Sequence, residues 1–311
     1  MHRSNTPVIV TNPEEFIAKL QSEAFPPVGP ACAKAVFVVE PADFTVNLES
    51  AIDNHYMDLD HVADAQRALE QARGLAELIS KQGIEVVRFP GKRETPDAVF
   101  PNNVFAVTTD RFIVGRMLRP SRQKEAERPD IRAYFQSRGY REIDLSQQDL
   151  VAELTGTLIV DSARRIGFCG ITGRVNQAGL KAMNEAFDLK MTFSFDLRPE
   201  EYHTNVIMMV LASRACVIYP GGFTDPAVPA AIARAFPDHT LVLNSAEQHA
   251  FAANCIALTD KDLFMSQTGF DALRDSSRRS LEDWGFVIHS TPLDEIEKAG
   301  GSLRCMVAEI F

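Results

Sequence analysis

No apolar run in this chain approaches the ~20 residues needed to cross a bilayer, which excludes a membrane-spanning helix. The first residues, Met-His-Arg-Ser-Asn-Thr-Pro, lack the apolar core of a secretory signal. There is no Cys-x-x-Cys pair. The five cysteines stand apart at positions 32, 169, 216, 255 and 305, which argues for reduced thiols in the cytoplasm rather than a disulfide framework or a zinc site. Basic residues are also short: 32 Lys and Arg face 42 Asp and Glu, a net charge of −10. A phosphate-backbone partner is therefore not expected, because nucleic-acid binders carry basic patches. What remains is a globular composition, 45% hydrophobic and 24% charged over 311 residues, enough for a large core in one or two domains.

Residues 1–34 combine a short amphipathic stretch with a Pro/Gly-rich segment and read as an N-terminal extension. Residues 35–311 read as a single catalytic domain. It opens with a strand at 35–39, a polar loop, and a helix whose face is Val62, Ala65, Leu69, Ala72, Leu75, Ala76 and Ile79. Gly83 stops that helix and a strand at 84–89 follows, a βαβ start. Paired β-rich segments then recur around short turns beginning at 108, 161, 211 and 259, steps of 53, 50 and 48. Helix-like stretches at 123–138, 175–187, 226–236 and 270–284 fill the gaps. A ~50-residue unit of hairpin plus helix, five with the opening unit, suggests a radial or stacked repeat. A mixed α/β sheet with chance hairpins is the plainer alternative.

Four segments carry chemistry. Residues 96–104, Pro-Asp-Ala-Val-Phe-Pro-Asn-Asn-Val, place Asp97, Asn102 and Asn103 at the entry to a strand; by themselves they also suit a proline-bounded turn. Glu153 precedes a strand. His203 sits in Tyr-His-Thr-Asn ahead of an apolar strand, where a lone histidine is more often structural. Cys305 follows Gly300 and Gly301 on a loop open to close approach, although a single cysteine is usually an inert small hydrophobe.

Taken in order, these segments resemble the guanidino-group-modifying (pentein) superfamily of arginine deiminases, dimethylarginine dimethylaminohydrolases and amidinotransferases. Residues 96–103 are similar to the Pro-Asp-x-Val-Phe-Val-Glu-Asp loop of the dimethylarginine hydrolases, with Asn102 and Asn103 standing where that loop has acids. Arg122, in Pro-Ser-Arg, and Arg174, in Gly-Arg-Val-Asn-Gln, resemble its substrate-binding arginines. The tail from Gly300 to Phe311 is most similar to the citrulline-utilisation branch. The resemblance implies a five-bladed α/β propeller acting as a hydrolase of linear C–N bonds. Cys305 would be the nucleophile, His203 the proton carrier and Glu153 its orienting acid. Asp97, Asn102 and Asn103 would hold the head group, and Arg122 and Arg174 the substrate carboxylate. This chemistry needs no metal and no organic cofactor. The implied partner is a small amino acid, with neither nucleic acid nor membrane, and a homodimer is compatible with it.

Amides replacing acids lower the negative charge around the head group and introduce N–H donors, which suits a neutral ureido oxygen. Citrulline is therefore the favoured substrate. Dimethylarginine or arginine hydrolysis, an amidinotransferase, and a non-catalytic propeller used for binding are the alternatives.

Overall fold

The computed structural model describes residues 8–311. Sixteen strands alternate with helices: β1 (Val8–Val10), β2 (Ala35–Glu40), β3 (Glu85–Pro90), β4 (Phe105–Val107), β5 (Arg111–Val114), β6 (Arg141–Asp144), β7 (Leu158–Asp161), β8 (Ile166–Ile171), β9 (Met191–Asp196), β10 (Met208–Leu211), β11 (Ala215–Ile218), β12 (Thr240–Val242), β13 (Ile256–Ala257), β14 (Asp262–Ser266), β15 (Val287–Thr291) and β16 (Ala308–Ile310). They form five small sheets. In four of these a hairpin leads through a helical segment to a third strand, parallel to the hairpin's second: β4-β5-β6, β7-β8-β9, β10-β11-β12 and β13-β14-β15.

The fifth sheet is stitched from both ends of the described chain. β16 pairs antiparallel with β2, and β2 pairs parallel with β3. This is why the opening unit reads as βαβ without a hairpin: its first strand lies more than 260 residues downstream. The strands β4, β7, β10, β13 and β16 are each paired on one side only, and all five line one central cavity. The pseudo-fivefold, propeller-like α/β arrangement that the resemblance implies is present, with the five repeat units.

Local differences have physical causes. The helix Ala65–Lys81 begins after Asp64, whose side chain accepts from the amides of Gln66 and Arg67, so Val62 lies outside it and is 94% exposed. The stretch 123–138 is broken, and its main helix restarts at Pro129, which tolerates a first-turn position because that N–H has no helical partner. The stretch 270–284 splits where Leu273 and Arg274 are extended. The third strands escape the sequence pattern because some, such as β6, are short and half exposed and show no apolar alternation.

Residues 8–22 are joined to the β7-β8-β9 sheet. β1 pairs parallel with β9, and Phe16 of the helix Pro13–Ser22 stacks on Phe193 with ring centroids 4.5 Å apart.

Candidate active site

Four of the five inner strands are entered through a short helical turn, and those entries lie at one end of the sheet axis. Turns at Pro96–Val99 and Pro101–Asn103 lead into β4, Leu154–Thr157 into β7, Thr204–Val206 into β10 and Leu303–Met306 into β16. The repeat carries equivalent positions to one place: Asn103, Thr155, Asn205, Asn254 and Cys305 are separated by 52, 50, 49 and 51 residues. Asn205 Nδ2 donates to the Thr155 carbonyl at 3.3 Å, and Asn254 Nδ2 to the Asn205 carbonyl at 2.9 Å. Both amides also donate to Cys305 Sγ, each at 3.4 Å. The thiol is buried, with two side-chain donors aimed at it.

His203 is fully enclosed. Its Nε2 meets Glu153 Oε2 at 2.8 Å, while Nδ1 is buried and has no partner. With Glu153 ionised, Nε2 carries the proton and Nδ1 is the free lone pair, so Nδ1 is the nitrogen available for chemistry. Burial disfavours the Glu153 carboxylate, but Arg174, His203 and Arg122 overcome this and hold it well below the usual range. Burial lowers the His203 pKa against the opposing pull of Glu153, and burial raises that of Cys305 against the help of Asn254. Both shifts favour the uncharged forms, imidazole and thiol. Gly156 makes room for this meeting, since a Cβ there would stand 2.7 Å from both His203 Cε1 and Asn103 Nδ2.

Asp97, Asn102 and Asn103 are all buried. Asp97 Oδ2 accepts from Ser50 Oγ at 2.6 Å and Asn47 Nδ2 at 2.9 Å, while Oδ1 is unpartnered. Neither end of the Asn102 amide has a partner. Asn103 Oδ1 accepts from Arg122 Nη1 at 3.0 Å, leaving its Nδ2 unpartnered. Buried polar atoms are nearly always hydrogen-bonded, so a cluster of orphans beside a held thiol is a place built for a polar ligand.

The sequence places Arg122 and Arg174 as carboxylate binders, and both border the site cavity. The Arg122 guanidinium is buried and its hydrogen bonds are internal. Nε and Nη2 bind Glu125 at 3.0 and 2.9 Å, Nη1 binds Asn103, and Nη2 also reaches the Asp97 and Phe100 carbonyls. The acid three residues on takes two of its hydrogen bonds, which the spacing Arg-x-x-Glu could have signalled. Glu125 itself is pushed up to about 7 by burial, against the pull of Arg122. Arg174 binds Glu153 at 3.2 Å and takes Asp53 in a two-point grip at 2.6 and 2.8 Å. Asp53 also accepts from Arg119 at 2.8 Å. Half-burial opposes the Asp53 charge, yet Arg174 and Arg119 hold its carboxyl below the ordinary range.

Asn47, Ser50 and Asp53 belong to the polar loop after β2, which folds over the site. Beneath it the cavity bounded by Asp97, Asn103, Arg122, Arg174, Tyr202 and Cys305 has only about 20 Å³, roughly the space of one water. Neither this loop nor Asn254 carries a local sequence signature of a site. The repeat step itself would have found Asn254, one unit before Cys305. Among the described residues no group of three or more His, Cys, Asp or Glu side chains is placed to hold a metal ion.

Residues 40–311 match the family described as "N,N dimethylarginine dimethylhydrolase, eukaryotic". The chain belongs to this family. It is a family of hydrolases acting on C–N bonds of guanidino groups, within the pentein superfamily. The chain is 26% identical over 250 residues to the bifunctional arginine dihydrolase/ornithine cyclodeaminase AgrE of Nostoc, covering 80% of this chain and 34% of that protein. It thus spans about a third of the length of such bifunctional relatives. It is 26% identical over 261 residues to the N(G),N(G)-dimethylarginine dimethylaminohydrolase of Mycobacterium tuberculosis, with 83% and 80% covered. The fold matches the crystal structure of the N-terminal domain of ArgZ, a cyanobacterial arginine dihydrolase, bound to substrate. The TM-score is 0.77 at 22% identity, covering 89% of this chain and 97% of that one.

Proposed function

We propose that this chain is a cysteine hydrolase that cleaves a non-peptide C–N bond in the ureido or guanidino group of an arginine-derived amino acid, with a ureido substrate such as citrulline favoured. The observation that carries this reading is the convergence of unpartnered buried atoms, Asp97 Oδ1, Asn103 Nδ2 and His203 Nδ1, beside a thiol held by two amides.

A urea or guanidine carbon is a poor electrophile because its nitrogens feed it electrons. The thiol proton of Cys305 passes to His203 Nδ1, and the sulfur attacks the carbon while Asn205 and Asn254 stabilise its charge. The imidazolium, stabilised by Glu153, returns the proton to the departing amine, which leaves as the C–N bond breaks. Water then gives its proton to His203 and adds to the thio-adduct, and the C–S bond breaks to restore the thiol. The α-carboxylate of the substrate takes the place of Asp53 on Arg174 and Arg119.

Asn103 favours the ureido head group, because it points donors at the cavity and a guanidinium has no oxygen to receive them. A guanidino substrate is the second reading, supported by the free Asp97 Oδ1 and by relatives named arginine dihydrolases. Removing nitrogen twice from a guanidino carbon passes through a ureido group, so the two readings share a pocket.

The test is incubation with citrulline, arginine, methylated arginines and agmatine, with products identified by mass spectrometry, for the native chain and Cys305→Ser. Turnover of an α-carboxylate substrate that falls by several orders of magnitude in a folded Ser variant is the expected result. Full activity in that variant would remove Cys305 from the chemistry.

A further inference from the structure

The catalytic segments enter the inner strands; a separate cavity lies where those strands leave. It has a volume of about 350 Å³, within the range of small-molecule sites. Its walls are β4, β7, β10, β13 and β16, the turns following three of them, around Thr109, Ser162 and Ser213, and the segments 28–31 and 187–189. Each of these strands is paired on one side only, so peptide N–H and C=O groups along the other edge are left to the axis. A ring of such edges is a polar lining without net charge.

Two ion pairs stand in this lining: Arg165 with Asp188 near the turns, and Arg304 with Glu309 among the inner strands, where the second is the more enclosed. Arg304 is 4% exposed; its Nη2 binds Glu309 at 2.9 Å, its Nη1 binds the Val307 carbonyl at 2.8 Å, and its Nε is buried without a partner. Glu309 keeps about 20% of its side chain exposed. The proposed mechanism uses neither residue. A positive and a negative group side by side do not select a simple anion or cation, since each cancels the other's field. They do complement a molecule that carries both charges a few bonds apart.

We propose that this axial cavity is a second binding site, taking a free amino-acid zwitterion whose carboxylate meets Arg304 and whose ammonium meets Glu309. Arg304 immediately precedes Cys305 on the turn Leu303–Met306, and its backbone N–H donates to Asn254 Oδ1 at 3.0 Å. Asn254 is one of the two donors to the thiol. Occupancy at one end of the axis is thereby connected to the nucleophile at the other.

The test separates the two cavities. Cys305 is carbamidomethylated and the modification confirmed by peptide mapping; the adduct fills the ~20 Å³ catalytic cavity. Calorimetric titration then uses L-arginine, L-citrulline, L-ornithine and L-glutamate, with agmatine and putrescine as amines lacking the carboxylate. One equivalent of at least one zwitterion should bind, with the decarboxylated amines at least tenfold weaker. Val210→Trp, which fills the cavity from a half-buried wall position, should abolish that binding, and Glu309→Gln should weaken it at least tenfold. If Val210→Trp does not fold, Glu309→Gln decides alone. Absence of zwitterion binding to the alkylated protein at millimolar concentration, or binding unchanged in the folded variants, overturns the proposal.

Discussion

Arg122 donates from Nη1 to Asn103 Oδ1 at 3.0 Å, and this bond decides which end of the Asn103 amide faces the cavity. With Oδ1 occupied, Nδ2 is left buried and unpartnered, a donor awaiting an oxygen. Asn103→Asp would keep the bond to Arg122 and turn an acceptor toward the substrate. The ratio of kcat/KM values should move toward guanidinium substrates by roughly 1–3 kcal/mol, about 5- to 150-fold. Parallel kinetics with arginine and citrulline read the sign. A shift toward citrulline would sink the ureido assignment while leaving the roles of Cys305 and His203 intact.

The two arginines should behave differently. Arg122 is bound wholly by the chain, so Arg122→Ala should lower kcat/KM equally for α-carboxylate substrates and for decarboxylated counterparts. The loss of charge-assisted bonds suggests ~1.5–3 kcal/mol. Asp53→Asn removes a rival for Arg174 and Arg119, and should lower KM for carboxylated substrates by about 2- to 5-fold, the worth of a part-exposed ion pair. Agmatine kinetics should not respond to that change; a matching fall in the agmatine KM would point to opening of the covering loop instead.

Asn205 and Asn254 hold the sulfur. Asn254→Ala should raise the thiol pKa further above its ordinary range, since burial already pushes it up and Asn254 is the largest opposing influence. The pH profile of inactivation by iodoacetamide should move to higher pH, with kcat down by about 10- to 100-fold. An unshifted profile would show that the amide serves only its backbone partners, the Asn205 carbonyl and the Arg304 N–H.

Glu125 is expected to give the fold a pH dependence. Its carboxyl is raised from 4.5 to about 7 by burial, so the folded state holds the proton more tightly than the unfolded chain. The resulting stability is fully present below pH ~4.5 and is lost as pH rises through about 7. Urea unfolding from pH 5 to 8.5 should show the native chain losing stability relative to Glu125→Gln across this window. The difference between the two should be flat if Glu125 stays ionised throughout.

Much of the reactive chemistry was legible locally. Asp97, Glu153, His203 and Cys305 each stand on a short segment entering an apolar strand, and the structure brings all four to one end of the axis. The hairpins were legible too, because alternation and turn residues are read within ten positions. Asn254 was not, since one amide between alanine and cysteine has no local signature; only its place in the ring of repeats gives it the sulfur. Nor was the pairing of β16 with β2, because strand partners are chosen by closure of the whole ring and not by either segment. Arg122 shows the division most clearly. Its charge and its neighbour Glu125 were written in the sequence. That it would be buried, satisfied by that neighbour, and left to orient Asn103 was decided by packing, which fixes donor direction where sequence supplies only donor type.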